Sequence, residues 1–385
     1  MNNNFLVKNT TFYSRIKDTT KYDILVSRGK IKRIAPSGEI PDPGHSIDAK
    51  GNIVIPGMID IHIHGAGGSD SLDGTREDLK TISRTLAGLG TTSFLSTMVV
   101  FPGNENRHVH VAGELTGKDL GGAQLLGVYI EGPFISIDRK GGISPRCITE
   151  PSAIILEKII EEAEGSLKMM CIAPEIPGNE RIIEKLIKNG IIAAFGHSDA
   201  GYEETKNGIS WGISHATHLF NTMRSLHHRE PGPLAAIFEN PGVSIELISD
   251  SYHIHPAMIN LATRLAGKER IACISDGISG TGLPDGTYRY NNRDYISKSG
   301  VAKYTDGTFI GSTMGLKNIA KNYMMFTGCS LSDAIDTVTL NPARILGIDN
   351  RKGTLEEGKD ADIVVMDPDF NIKHSIIAGK LVFSN

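Results

Sequence analysis

The sequence is poor in the features that mark secreted, membrane-spanning or nucleic-acid-binding chains. Cysteine is scarce: Cys147, Cys171, Cys273 and Cys329 lie far apart, and no pair has C-x-x-C spacing. That argues against a disulfide framework or a thiolate zinc site and fits reduced thiols in a cytosolic chain. Neither sign of charge dominates, with 40 Lys and Arg against 44 Asp and Glu, so there is no electrostatic footprint for nucleic acid or anionic lipid. Long apolar runs are missing too: stretches such as Ile191 to Phe195 fall far short of the ~20 residues of a membrane span. The N-terminal MNNNFLVKNTTF has no basic region, apolar stretch or small-residue cleavage site, so a soluble cytoplasmic protein is expected. Gly (43) and Pro (17) stay below the roughly 25–30% share of low-complexity chains. With 39% apolar and 22% charged residues, the chain can bury a large core, which excludes disorder as its main state.

A length of 385 residues allows two to three domains at roughly 150 residues each, or one large barrel with an appendage. Eight short apolar runs recur: Ile59 to His64, Thr92 to Met98, Gln124 to Gly132, Leu167 to Glu175, Ile191 to Ser198, Ile213 to Phe220, Ser244 to Asp250 and Arg270 to Gly277. Amphipathic stretches with apolar residues three and four apart separate them, among them Arg76 to Ala87, Ser152 to Glu164 and Glu180 to Lys188. Near-continuous apolar strands alternating with helices predict a parallel sheet covered on its outer face. Eight such units over about 290 residues predict an α/β chain with a (β/α)8 TIM-like barrel over 56–348. Residues 1–55 and 349–385 read instead as turn-linked strands. Neither piece is large enough for a core of its own, so together they predict a small β-sandwich domain. A Gly-, Tyr- and Asn-rich stretch at about 279–311 reads as a hairpin insertion in the last barrel unit.

Active-site groups of parallel barrels sit where strands end at the C-terminal face. Collecting the polar residues there gives His62 and His64 on strand 1, Glu131 on strand 3, His197 on strand 5, His218 on strand 6 and Asp276 on strand 8. Alternation along strand 1 puts Asp60, His62 and His64 on one face. A lone imidazole on an apolar strand is ordinary core. Six imidazoles and carboxylates at equivalent ends of five strands are what a site for zinc or another first-row metal requires.

These residues also carry a resemblance. The stretches PGMIDIHIHGAGG (Pro56 to Gly68), GVYIEGPF (Gly127 to Phe134), GHSDA (Gly196 to Ala200), THLFNTM (Thr217 to Met223), REPG (Arg229 to Gly232), SDGIS (Ser275 to Ser279), NPAR (Asn341 to Arg344) and LEEGKDADIVV (Leu355 to Val365) resemble the N-acetylglucosamine-6-phosphate deacetylases of the amidohydrolase superfamily, nearly end to end. The resemblance implies metal-dependent hydrolysis of the acetamide of N-acetyl-D-glucosamine 6-phosphate. It implies a divalent metal, zinc or iron, one or two per chain. Glu131, His197 and His218 match the family's metal ligands, and His62 and His64 match members holding a second metal. Asp276 matches the catalytic acid/base. Gly142, Asn221, Thr222, Arg229, His253 and the Ile310–Gly311–Ser312 loop match positions contacting the amino sugar phosphate. A homodimer is implied as well, with a phosphate-contacting Arg and His, here Arg229 and His253, crossing the subunit boundary.

Two positions depart from the family pattern. Ile143 stands where the family usually has a His that polarises the acetamide carbonyl, and Ser251 follows Asp250 where the family usually has Gly. Either a second metal on His62, His64 and Glu131 supplies the missing polarisation, or a His of the Leu226-His227-His228 loop swings in, or the substrate differs. The alternatives are thus another N-acetyl hexosamine phosphate such as the galactosamine isomer, an unphosphorylated amide, or a barrel that kept its fold as a non-catalytic scaffold. The last would not explain why all five ligand candidates and Asp276 are present.

Overall fold

Each of the eight apolar runs forms a strand, and the eight pair in parallel in chain order. The computed structural model describes residues 4–290 and 293–385. Its barrel strands are Met58–Ile63, Thr91–Met98, Gln124–Glu131, Leu167–Ile172, Ile192–Phe195, His215–Ala216, Ser244–Leu247 and Ile271–Cys273. The first and last meet at the C-terminal rim, where the amide of His64 donates to the Gly277 carbonyl (2.7 Å) and that of Asp276 to the His62 carbonyl (3.0 Å). Helices between the strands cover the outer face. Arg76–Gly88 shows why they form: Leu79, Ile82, Ser83, Leu86 and Ala87 make one buried stripe, and the Thr75 hydroxyl caps the Asp78 amide.

Five strands are shorter than the apolar pattern suggests, the fourth and seventh stopping at Ile172 and Leu247. The fifth, sixth and eighth stop at Phe195, Ala216 and Cys273, before the polar residues expected to close them. Beyond these ends the backbone turns left-handed at His197 (φ 48°), His218 (φ 26°) and Asp276 (φ 47°). A left-handed turn leaves no mark on composition, so the sequence pattern runs these strands on to the polar residues that follow them.

The two chain ends join one sheet. Strand Ile53–Pro56 pairs antiparallel with Ile363–Met366, and the path continues through Asn4–Phe12 on one side and Ile372–Ile377 on the other. Alternation along the central strands divides their side chains between two cores. Val54, Ile363 and Val365 pack with Phe5, Ile24, Val26 and Ile376, while Ile55, Val364 and Met366 join the barrel core. The β-domain is therefore fixed to the barrel through a shared strand pair.

The insertion is larger than one hairpin. It forms a four-stranded antiparallel sheet, Gly286–Tyr290, Arg293–Lys298, Val301–Tyr304 and Phe309–Ser312, which runs one residue past the expected Gly311 boundary. Residues 291–292 of this expected segment, and 1–3 of the N-terminal one, lie outside the described residues. Among the described residues, no helix is long and apolar enough to cross a membrane.

Candidate active site

The rim of the barrel brings all six strand-end candidates together. Glu131 Oε1 lies 2.8 Å from His197 Nε2 and 3.0 Å from His218 Nε2, and the two nitrogens are 3.2 Å apart. Opposite them, Asp276 Oδ1 lies 3.4 Å from His64 Nε2 and 3.6 Å from His62 Nε2. Glu131 stands between the two groups, 3.8 Å from His62 Nε2 and 3.7 Å from His64 Nε2.

Neighbouring groups fix which ring nitrogens face inward. His197 Nδ1 is 2.9 Å from the Arg139 carbonyl, and when the ring is neutral a proton there leaves Nε2 as the free lone pair. His62 Nδ1 is 3.0 Å from the Glu246 carboxylate, and its buried Nε2 has no hydrogen-bond partner among the described residues. The donor set fits a metal. A tetrahedral ion with bonds of about 2.0–2.1 Å has ligand atoms about 3.3 Å apart, close to the spacing of Glu131, His197 and His218. The grouping of His62, His64 and Asp276 would accommodate a second.

Electrostatics keep both carboxylates ionised. Burial works against the charge of Glu131, but the charge of His197 and hydrogen bonds with His197 and His218 hold it well below the usual carboxylate range. Burial likewise opposes ionisation of Asp276, yet its bond to His64 and the charges of His62 and His64 hold it low. An ionised Asp276 can accept a proton. Its left-handed backbone costs about 1 kcal/mol for a non-glycine residue and turns its side chain off the strand direction toward the His rings.

A cavity of about 270 Å3 opens over these groups. Gly142, Asn221, Thr222, His253, Ile310 and Gly311 line it together with Glu131, His64, His197, His218 and Asp276. Ser312 and Arg229 do not. Ser312 is buried behind the wall, its amide donating to the Asp276 carbonyl (2.8 Å) and its hydroxyl to that of Gly300 (3.0 Å). Arg229 is exposed outside the cavity, beside His228. His227 and His228 are also outside it, so the loop expected to swing in places no imidazole at the site. His253 reaches the cavity of its own chain, with Nδ1 2.6 Å from Asp250 Oδ2. Ser251 has φ 69°, where glycine would be unstrained. Ile143 lines the wall and offers no donor.

The sequence reading missed Glu246, His215 and Tyr290. Glu246 is fully buried, accepts from the His218 amide (3.0 Å) and pairs with both His62 and His215. Burial would raise its pKa, but the charge of His62 and bonds to His215 and His62 bring it down to about 2. A carboxylate in the otherwise apolar SIELI run was the available signal: buried on both faces, such a group needs cationic or N–H partners. Tyr290 reaches the cavity from the insertion, with its ring 6.4 Å from that of His64.

Comparison with known proteins places the chain in context. Residues 53–382 match the Amidohydrolase family. The chain is 35% identical over 366 residues to the N-acetylglucosamine-6-phosphate deacetylase of Bacillus subtilis (strain 168), covering 93% of this chain and 92% of that one. It is 32% identical over 364 residues to the N-acetylgalactosamine-6-phosphate deacetylase of Escherichia coli O157:H7, covering 94% of each. It superimposes with a TM-score of 0.89, at 27% identity and full coverage of both chains, on a mutant N-acetyl-D-glucosamine-6-phosphate deacetylase of Mycobacterium smegmatis in complex with N-acetyl-D-glucosamine-6-phosphate.

Proposed function

The chain belongs to the amidohydrolase family, and within it we propose that this protein hydrolyses the acetamide of N-acetyl-D-glucosamine 6-phosphate to D-glucosamine 6-phosphate and acetate. The observation that carries the reading is the convergence of Glu131, His197, His218 and Asp276 beneath one cavity, with His62 and His64 beside them.

Glu131, His197 and His218 would hold one divalent metal, zinc or iron. His62 and His64, with Asp276 and Glu131 alongside, would hold a second. A bound divalent metal lowers the pKa of its water from 15.7 towards about 7 and polarises an acyl oxygen. Asp276 takes the proton of the attacking water and returns it to the amine as the C–N bond breaks, a transfer commonly contributing about 10²–10⁴-fold. Asn221, Thr222, Gly142, Ile310 and Gly311 enclose the sugar, and His253, held by Asp250, faces its phosphate. The galactosamine isomer is the second reading, favoured by the changed surround at Ile143 and Ser251 and by the 32% identity to a deacetylase of that sugar.

Metal analysis and acetate release test the site together. Glu131→Ala should lose most of its metal and its activity. Asp276→Asn should keep the Glu131-centred metal and substrate binding while kcat falls at least about 10²-fold. Normal turnover by Asp276→Asn would remove it as the proton carrier.

We propose further that two chains associate, with the exposed Arg229 serving the partner's cavity, since it stands outside its own. Mixing inactive Asp276→Asn with inactive Arg229→Ala chains should then restore activity. A monomer by light scattering at working concentration would contradict the arrangement.

A further inference from the structure

Acetamide hydrolysis builds negative charge on the carbonyl oxygen, and a neutral donor aimed at that oxygen is among the strongest aids a protein can supply. Ile143 cannot be one, and the other uncharged side-chain donors of the cavity are engaged. The Asn221 amide donates to the carbonyls of His218 and Leu219, and the Thr222 hydroxyl to that of Asn221. Thr308 is exposed at the cavity's edge, with its amide donating to Asp306 (2.9 Å) and its hydroxyl beside the same carboxylate. Tyr290 differs. Its ring lines the same cavity as Glu131, His64 and Asp276, meets His64 edge-on at 6.4 Å, and its hydroxyl has no hydrogen-bond partner among the described residues.

We propose that the Tyr290 phenol donates a hydrogen bond to the acetamide oxygen and to the oxyanion formed there, doing what a side chain at position 143 cannot. This rests on the deacetylase reading above. Tyr290 closes strand Gly286–Tyr290, in register opposite Arg293, so the insertion carries the phenol over the barrel mouth. A phenol has an ordinary pKa of about 10, so it keeps its proton at neutral pH and remains a donor. The rival acceptor is Asp70. Its buried Oδ2 lacks a partner among the described residues, and it lines an adjoining cavity that Tyr290 also borders. A phenol given to Asp70 would hold the insertion in place without touching the reaction.

Tyr290→Phe keeps the ring against His64 and removes only the hydroxyl. Acetate release should fall about 10²–10³-fold in kcat, the usual loss for one oxyanion donor, at unchanged metal content. The N-trifluoroacetyl substrate has an electron-poor carbonyl that needs less help, so its deficit should be at least tenfold smaller. Calorimetry adds a readout independent of turnover. A tetrahedral methylphosphonamidate of glucosamine 6-phosphate should bind the variant at least tenfold more weakly, while glucosamine 6-phosphate binds both proteins alike. Equal losses on both acyl groups, or unchanged turnover and analogue affinity, would overturn the proposal and assign the hydroxyl to Asp70. A parent that releases no acetate from any sugar phosphate would overturn the deacetylase reading itself, and this inference with it.

Discussion

His253 is buried beside the cavity, where desolvation alone would make it a weak base. The hydrogen bond to Asp250 and that residue's charge outweigh burial, so its pKa is raised above the ordinary 6.5. The cationic ring is therefore retained in the folded protein at pH values where a free imidazole is neutral. Its attraction for a 6-phosphate is complete below the ordinary pKa and is lost only as pH rises through the raised one. KM for the phosphorylated substrate should climb over that interval, with kcat changing less. In Asp250→Asn the climb should begin at lower pH. A rise at the same pH in both proteins would show that another group carries the phosphate.

At the scale of elements, the last strand of the insertion and the loop after the eighth barrel strand act as one unit. Gly311 has φ +131°, and a Cβ there would lie 2.6 Å from the Asp276 carbonyl oxygen. The same carbonyl accepts from Ser312, so the insertion positions the backbone of Asp276. Gly311→Ala should cut kcat by at least about tenfold through displacement of Asp276, while the metal on Glu131, His197 and His218 stays bound. A variant with parental kcat would show that the strand can give way without moving Asp276.

These elements also show what a sequence can reveal. Period and apolarity located all eight strands, and strand-end chemistry located Glu131, His62, His64, His197, His218 and Asp276. The short strands before His197, His218 and Asp276 escaped notice because a left-handed turn leaves no mark on composition. Tyr290 escaped because nothing in a Tyr- and Asn-rich insertion tells which face will lie over the barrel. Arg229 and Ser312 were legible only through resemblance, which does not say whether a residue reaches its own cavity, a partner's, or only the backbone behind it.

Across the whole molecule, barrel and β-domain are joined by a buried cation. Lys352 Nζ bonds to Asp362 and to Gln124 Oε1 (2.9 Å), the latter at the start of the third barrel strand, with Asp360 Oδ2 at 3.3 Å. Its side chain is 1% exposed. Lys352→Met leaves the buried Asp362 carboxylate without its cation, a change that typically costs about 3–5 kcal/mol, while Asp360 keeps Lys30 and Arg351. The denaturation midpoint should fall accordingly, and an unchanged midpoint would mean that the shared strand pair alone holds the domains together.

The central claim is that this barrel releases acetate from an N-acetyl hexosamine 6-phosphate. It is tested most directly by kcat/KM for acetate release from N-acetylglucosamine and N-acetylgalactosamine, each with and without the 6-phosphate. N-acetylglucosamine 6-phosphate should give the highest value, with both unphosphorylated sugars at least about a hundredfold lower because the charge-assisted contact at His253 is lost. Faster release from either unphosphorylated sugar, or no release from any of the four, would contradict it.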